Sequence, residues 1–275
     1  MAEIEANGVR LYYELQGDGP PLVLVHGSWV NGSNWQALVP LLIDSFTVVT
    51  YDRRGHSRSE RPDTQGSAHE DADDLAALIE GLELAPAHVV TNSYAGNFTL
   101  RLAAKRPELF RTLSCHEPPL WGLLAGDPEG QDALERGRGS IESVGARIAQ
   151  GDHEGAARQF VEEVAFGPGA WENELPPPVR ATFVENAPTF LDELRDPDQL
   201  AADVEALRTI DVPVRFTQGT ESPPTFFMVI DRLVEAMPQA RREIIQGTAH
   251  VPQLTHPEPY AERIRAFAGQ EAVTP

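Results

Sequence analysis

Apolar and polar positions alternate over Val9–Glu14, with β-branched and aromatic side chains, and this period of two predicts a strand. Short apolar runs at Leu22–Val25, Phe46–Tyr51, Ala87–Val90 and Leu113–His116 predict further strands. Between them the spacing turns helical. Asn34–Ile43 reads as a helix, Asp71–Leu84 sets Leu75, Leu78, Ile79 and Leu82 on one face, and a further helix follows the Ala87–Val90 strand through Ala104. Strands alternating with helices at this spacing imply a mostly parallel sheet flanked by helices on both faces, an α/β fold.

The alternation breaks after Pro118. Gln131–Gln150, Glu154–Ala165, Val179–Glu193 and Gln199–Leu207 all read as helical, divided by Gly167–Gly169 and Pro176–Pro178. Strand and helix then alternate again through Val212–Thr217, Phe226–Met237, Glu243–Gln246 and Pro257–Phe267. The expected organisation is a sheet core from 1–117 and 209–275, with 118–208 inserted as a helical cap. Such a cap belongs over the C-terminal edge of the strands, where open α/β sheets bind ligands.

Charge narrows the partners. The chain has 275 residues, 22 basic and 42 acidic, for a net charge of −20. A surface this acidic repels phosphate backbones and anionic lipid, so nucleic acid and membrane are not expected partners. Pro118–Arg208 carries 18 acids and 7 bases, which reads as a solvated helical surface. Cys115 is the only cysteine, which excludes an intrachain disulfide and cysteine-based metal motifs. With no signal peptide read at Met1–Arg10 and no apolar run of membrane-spanning length, a cytoplasmic setting is expected. No Gly-rich phosphate loop opens a helix, and Gly17–Gly19 precedes none, so neither organic cofactor nor metal is expected.

The chemistry is concentrated at strand ends. Val89-Val90-Thr91-Asn92-Ser93-Tyr94-Ala95-Gly96 runs an apolar strand into a serine and straight on into a helix, the context of a nucleophile elbow. Positions two either side of the serine must be small; here they are Thr91 and Ala95, and Thr91 departs from the G-x-S-x-G pattern. A serine needs a base, and His250, in Gly247-Thr248-Ala249-His250 after the last strand, can reach the same sheet edge. Two glutamates keep the order serine, acid, histidine: Glu117, which ends the strand after the nucleophile strand, and Glu221, which follows Val214–Thr220. Glu117 is preferred and Glu221 stays the alternative. Oxyanion donors are expected at the amides of Tyr94 and Ser28, with Gly27 letting the backbone turn inward. Trp29, Trp121 and Phe227 are expected to line an apolar substrate pocket, while Phe160 and Phe183 read as core.

These segments together resemble the α/β-hydrolase family over nearly the whole chain. The resemblance is carried by Leu24-Val25-His26-Gly27, by Tyr51-Asp52-Arg53-Arg54-Gly55-His56-Ser57-Arg58-Ser59, by the elbow and by Gly247–His250. It implies an α/β-hydrolase sheet with an α-helical cap. Members usually hold an aspartate where Glu221 lies nearby. A subset, including zearalenone-type lactonases and some haloalkane dehalogenases, places the acid after the strand that follows the elbow, at the spacing of Glu117 from Ser93. The resemblance implies a bacterial serine hydrolase that cleaves an apolar or aromatic ester or lactone through an acyl-enzyme. Carbon–carbon hydrolysis of ring-cleavage products, suggested by the Asn92-Ser93 pair, and a hydrolase-like ligand sensor are the alternatives. The expected partner is a small apolar ester or lactone, and self-association into a homo-oligomer stays open.

Overall fold

The chain opens with a hairpin. β1 (Ala2–Ala6) and β2 (Val9–Gln16) pair antiparallel, and Asn7 and Gly8 between them both take positive φ, 49° and 76°. A two-residue hairpin turn of this hand needs that geometry, and Asn-Gly supplies it at little cost. Beyond the hairpin, β3 (Pro21–Val25), β4 (Thr47–Tyr51), β5 (Ala87–Asn92), β6 (Phe110–His116), β7 (Val214–Gly219) and β8 (Arg241–Ile245) extend the sheet in the order β1-β2-β4-β3-β5-β6-β7-β8. β2 meets β4 antiparallel and every pairing beyond is parallel. β5 is buried at every position, as expected of a central strand covered on both faces. The computed structural model describes residues 2–270; Met1 and the stretch 271–275, both within the expected core segments, lie outside them.

Two apolar layers cover the sheet. On one face, α2 (Ala68–Gly81), α3 (Ala95–Lys105) and α9 (Pro224–Ala236) pack Leu75, Leu78, Ile79, Phe98 and Leu233 against Val23, Val49 and Val89. Each such fully buried side chain contributes about 1.5–3 kcal/mol over its exposed state. The opposite face carries α1 (Val39–Leu42), α10 (Pro252–Thr255) and α11 (Pro257–Gln270), with Tyr260 and Ile264 against Leu22, Leu24 and Val48. The helix expected over Asn34–Ile43 is instead a 3-10 turn, Gly32–Trp35, followed by α1. Pro40 lies in the first turn of α1, where its missing N–H costs nothing, and it cannot continue a helix arriving from Asn34.

Between β6 and β7 the chain is helical, a cap as expected. α4 (Pro128–Ala149), α5 (His153–Gln159), α6 (Ala170–Asn173), α7 (Pro177–Arg195) and α8 (Val204–Arg208) follow in order. Val144, Ile148, Ala157, Val161, Phe183 and Phe190 form the cap's own core, into which Trp29 rises from the sheet edge. The helix expected over Gln199–Leu207 shortens to α8, started by the Asp203 carboxylate accepting from Ala206 N. Phe160–Ala165 is a π-helical turn, a form that concentrates at functional sites.

Candidate active site

Ser93 stands between the C-terminal end of β5 and the start of α3, with φ at +57°. A non-glycine residue in this left-handed region is held there by its surroundings. Its amide donates to His116 O at 2.9 Å, which ties the turn to β6. Close packing explains the small residues nearby. A Cβ on Gly96 would lie 2.7 Å from Pro118 Cβ, and one on Gly27 would lie 2.9 Å from both Ser93 Cβ and Asn92 O. Gly27 is therefore needed for space rather than for a positive φ, a correction to the expected reason. Thr91 fits because it lies opposite Cys115 in the ladder with its side chain buried.

His250 Nδ1 is 2.7 Å from Glu117 Oε2, with the carboxylate fully buried. Glu117 follows β6 and also takes positive φ, 47°. Its Oε1 accepts from Gly219 N at 2.8 Å. Burial penalises its charge, but the adjacent His116 and the hydrogen bond from His250 hold its pKa down at about 2. The carboxylate thus stays ionised at neutral pH and fixes the histidine proton on Nδ1, leaving Nε2 free to accept one. Glu221 is placed differently: its amide donates to Thr248 O, its side chain is exposed, and its carboxylate accepts from Thr220 Oγ1. Of the two glutamates, Glu117 is the one brought to His250.

The loop that carries His250 is held from two sides. His116 Nε2 donates to Ala249 O at 3.3 Å while its Nδ1 accepts from Thr217 Oγ1. Burial keeps this ring neutral, with its pKa lowered to about 4. Asn92 Nδ2 donates to His250 O at 2.9 Å, and Gln253 Nε2 donates to Asn92 Oδ1. The aromatic ring of Phe226 stacks on the imidazole, centroids 4.7 Å apart.

Two apolar clefts meet at this point. One is lined by Trp121, Ile141, Leu194, Leu200 and Phe226. The other is lined by Phe166, Leu175, Val179, Phe183 and Leu254. Ser28, Ser93, Phe160 and His250 border both. Neither the Ser28 nor the Tyr94 amide donates to any protein acceptor among the described residues. Tyr94 lies at the N-terminal end of α3, where backbone N–H groups favour negative charge.

The aromatic expectations are partly reordered. Trp121 lines the first cleft. Trp29 borders neither; with φ at +70° its ring turns into the cap core, 4.9 Å from Phe160 and 4.7 Å from Phe190 between centroids. Phe227 also borders neither cleft: α9 begins at Pro224, and its first turn sends Phe226 inward and the next residue about 100° round. Phe160 and Phe183, read as core, do pack in the cap core, and they also line the clefts.

The sequence missed the polar face of α7. Asn186, Thr189 and Glu193 recur at helical spacing and all reach core loops. Alternating with Phe183, Ala187 and Phe190, they form a second face that the pattern did contain. No group of three or more metal-ligating side chains occurs among the described residues, and no described helix is long and apolar enough to cross a membrane.

Residues 22–263 match the alpha/beta hydrolase family. The chain is 34% identical over 126 residues to the uncharacterized hydrolase YraK of Bacillus subtilis (strain 168), covering 45% of this chain and 46% of that protein. It is 33% identical over 110 residues to the 2-(acetamidomethylene)succinate hydrolase of Mesorhizobium japonicum, covering 40% of each. The chain spans less than half the length of these two curated relatives. Among solved structures, Est816, described as an N-acyl homoserine lactone degrading enzyme, aligns with a TM-score of 0.76 at 25% identity, covering 97% of this chain and 100% of that one. The enol-lactonase of Burkholderia xenovorans LB400 aligns at 0.78 and 20% identity, covering 98% of this chain and 100% of that one, and shares the fold.

Proposed function

The chain belongs to the alpha/beta hydrolase family, and on that premise we propose that it is a serine hydrolase cleaving apolar carboxylic esters or lactones through an acyl-enzyme. One observation carries the reading: a serine held at positive φ shares its clefts with a histidine whose far nitrogen is fixed by a buried, ionised glutamate.

In this reading Ser93 Oγ attacks the ester carbonyl as His250 Nε2 takes its proton. Glu117 keeps the opposite proton on Nδ1 and stabilises the imidazolium. The carbonyl oxygen becomes an oxyanion, received by the free amides of Ser28 and Tyr94. His250 then gives its proton to the leaving alkoxide. Water, deprotonated by the same nitrogen, releases the acid and restores Ser93.

Two apolar clefts flanking one serine suit a substrate with an apolar group on each side of the scissile bond. The lactone named for Est816 places lactones beside esters among the candidates. The Asn92-Ser93 pair that suggested carbon–carbon cleavage has a local structural use, since the Asn92 amide is engaged by His250 O and Gln253.

The test is a panel of p-nitrophenyl esters and lactones combined with a fluorophosphonate probe. The expected result is turnover of apolar esters and labelling of Ser93. Labelling of another serine, with full activity in Ser93→Ala, would overturn the proposal.

A further inference from the structure

Glu193 is a buried carboxylate at the wall of the first cleft, supplied by the cap rather than by the sheet. Its Oε2 accepts from Ser28 Oγ at 2.5 Å. Its Oε1 accepts from both Nη1 and Nη2 of Arg53 at 3.1 Å. Arg53 is itself fully engaged: Nε and Nη2 bind Asp71 of α2 as a fork, and Nη1 also donates to Gly27 O. Every N–H of the guanidinium is thereby used. Its plane lies over the Tyr94 ring, 4.7 Å from the centroid.

One guanidinium therefore touches both segments assigned to the oxyanion hole, Gly27-Ser28 and Tyr94, and Glu193 closes the set from the cap. The same helix face repeats the grip one and two turns earlier. Thr189 Oγ1 meets His56 Nε2, and Asn186 Nδ2 donates to Val30 O, on the loop that carries Ser28. The glutamate is held in a charged cluster at a cost: burial is the main cause of its pKa rising to about 7, against the opposing pull of Arg53 and Ser28. A water-facing hydrogen bond would need no such arrangement.

We propose that Glu193 is a positioning residue that acts through Ser28, so that seating of the cap sets the oxyanion hole. The inference rests on the serine-hydrolase reading above. Without the carboxylate, the Ser28 loop keeps its contact with Arg53 but loses the side-chain anchor that holds it in the cleft beside Ser93.

The experiment is a double-mutant cycle of Ser28→Ala and Glu193→Gln on p-nitrophenyl acetate, with affinity for a trifluoromethyl ketone that mimics the tetrahedral adduct. Either single change is expected to lower kcat by about ten- to a hundredfold, with KM within about twofold, because only the transition state uses the displaced amide. Ketone affinity should fall in parallel, and the double variant should be no slower than the slower single variant. Multiplying losses, a loss confined to KM, or kcat unchanged within twofold would overturn the proposal. Should Glu193→Gln fail to fold, Ser28→Ala decides alone: a kcat-specific loss supports the proposal and full kcat overturns it. Fluorophosphonate labelling of the unaltered protein keeps the two readings apart. Failure to label Ser93 removes the catalytic reading and this one with it, whereas normal labelling with unaffected variants removes this one only.

Discussion

Asn92 donates its side-chain amide to the backbone carbonyl of His250 at 2.9 Å. The residue before the proposed nucleophile thus holds the loop that carries the proposed base, although 158 positions of chain separate them. Replacing this buried donor leaves a carbonyl without its partner, a loss of about 1–3 kcal/mol. Asn92→Ala is expected to lower Tm by several degrees and to lower kcat at temperatures where the protein is still folded. Thermal melts paired with rates check it; a variant as active and as stable as the parent would show that the clip is dispensable.

The acid is tested by comparing two glutamates. Glu117→Gln should lower kcat by about 10⁴, since an amide at that place no longer fixes the histidine proton. Glu221→Gln changes an exposed side chain and should stay within about 0.5 kcal/mol in stability with near-normal turnover. An inactive Glu221 variant beside an active Glu117 variant would reverse the assignment.

The clefts predict a split in selectivity. Trp121 borders only the first cleft and Phe160 borders both. Trp121→Ala should reorder preference among esters with bulky groups by roughly tenfold while leaving acetate turnover nearly unchanged. Phe160→Ala should weaken bulky substrates on either side of the ester bond. Specificity constants across a series varied first in the acyl and then in the alcohol group measure both.

Two buried glutamates should pull stability in opposite directions with pH. Glu193 has a folded pKa raised to about 7, so its favourable contribution is complete below its ordinary value of 4.5 and fades as pH rises through 7. Glu117, lowered to about 2, contributes above 4.5 and loses that contribution as pH falls toward 2. The stability difference between the parent and Glu193→Gln should therefore shift against the parent from pH 4.5 to 8, by on the order of 3 kcal/mol at most. Urea unfolding at several pH values reads this slope, and a flat difference would contradict the shifted glutamate.

The α/β core was legible because its signals are local. Period-two and period-3.6 stretches mark β2 to β8 and the long helices, and the abrupt strand–serine–helix junction marks Ser93. β1 was overlooked, although Asn7-Gly8 carried its turn signal. What failed were the directions of side chains. Trp29, at positive φ, points into the cap core, and Phe160, which packs on that core as expected, also reaches the clefts from a π-helical turn, neither of which a hydrophobic pattern encodes. Glu193 is hidden in the pattern for a different reason. Polar residues on an acidic helix read as solvated, and only the tertiary approach of Arg53 shows this one buried.

β3, β5 and β6 are adjacent strands, and they deliver the Ser28 loop, Ser93 and Glu117 in a fixed lateral register. His250 alone arrives from β8, an edge strand paired only with β7. Beyond one backbone hydrogen bond, from Glu221 N to Thr248 O, its placement depends on side-chain clips. Local opening should therefore begin at Gly247–His250 while the central strands remain intact, with amides there exchanging hydrogen well before those of β5. If His250 is the base proposed above, turnover is expected to fall on warming before the fold is lost, and to return on cooling without refolding.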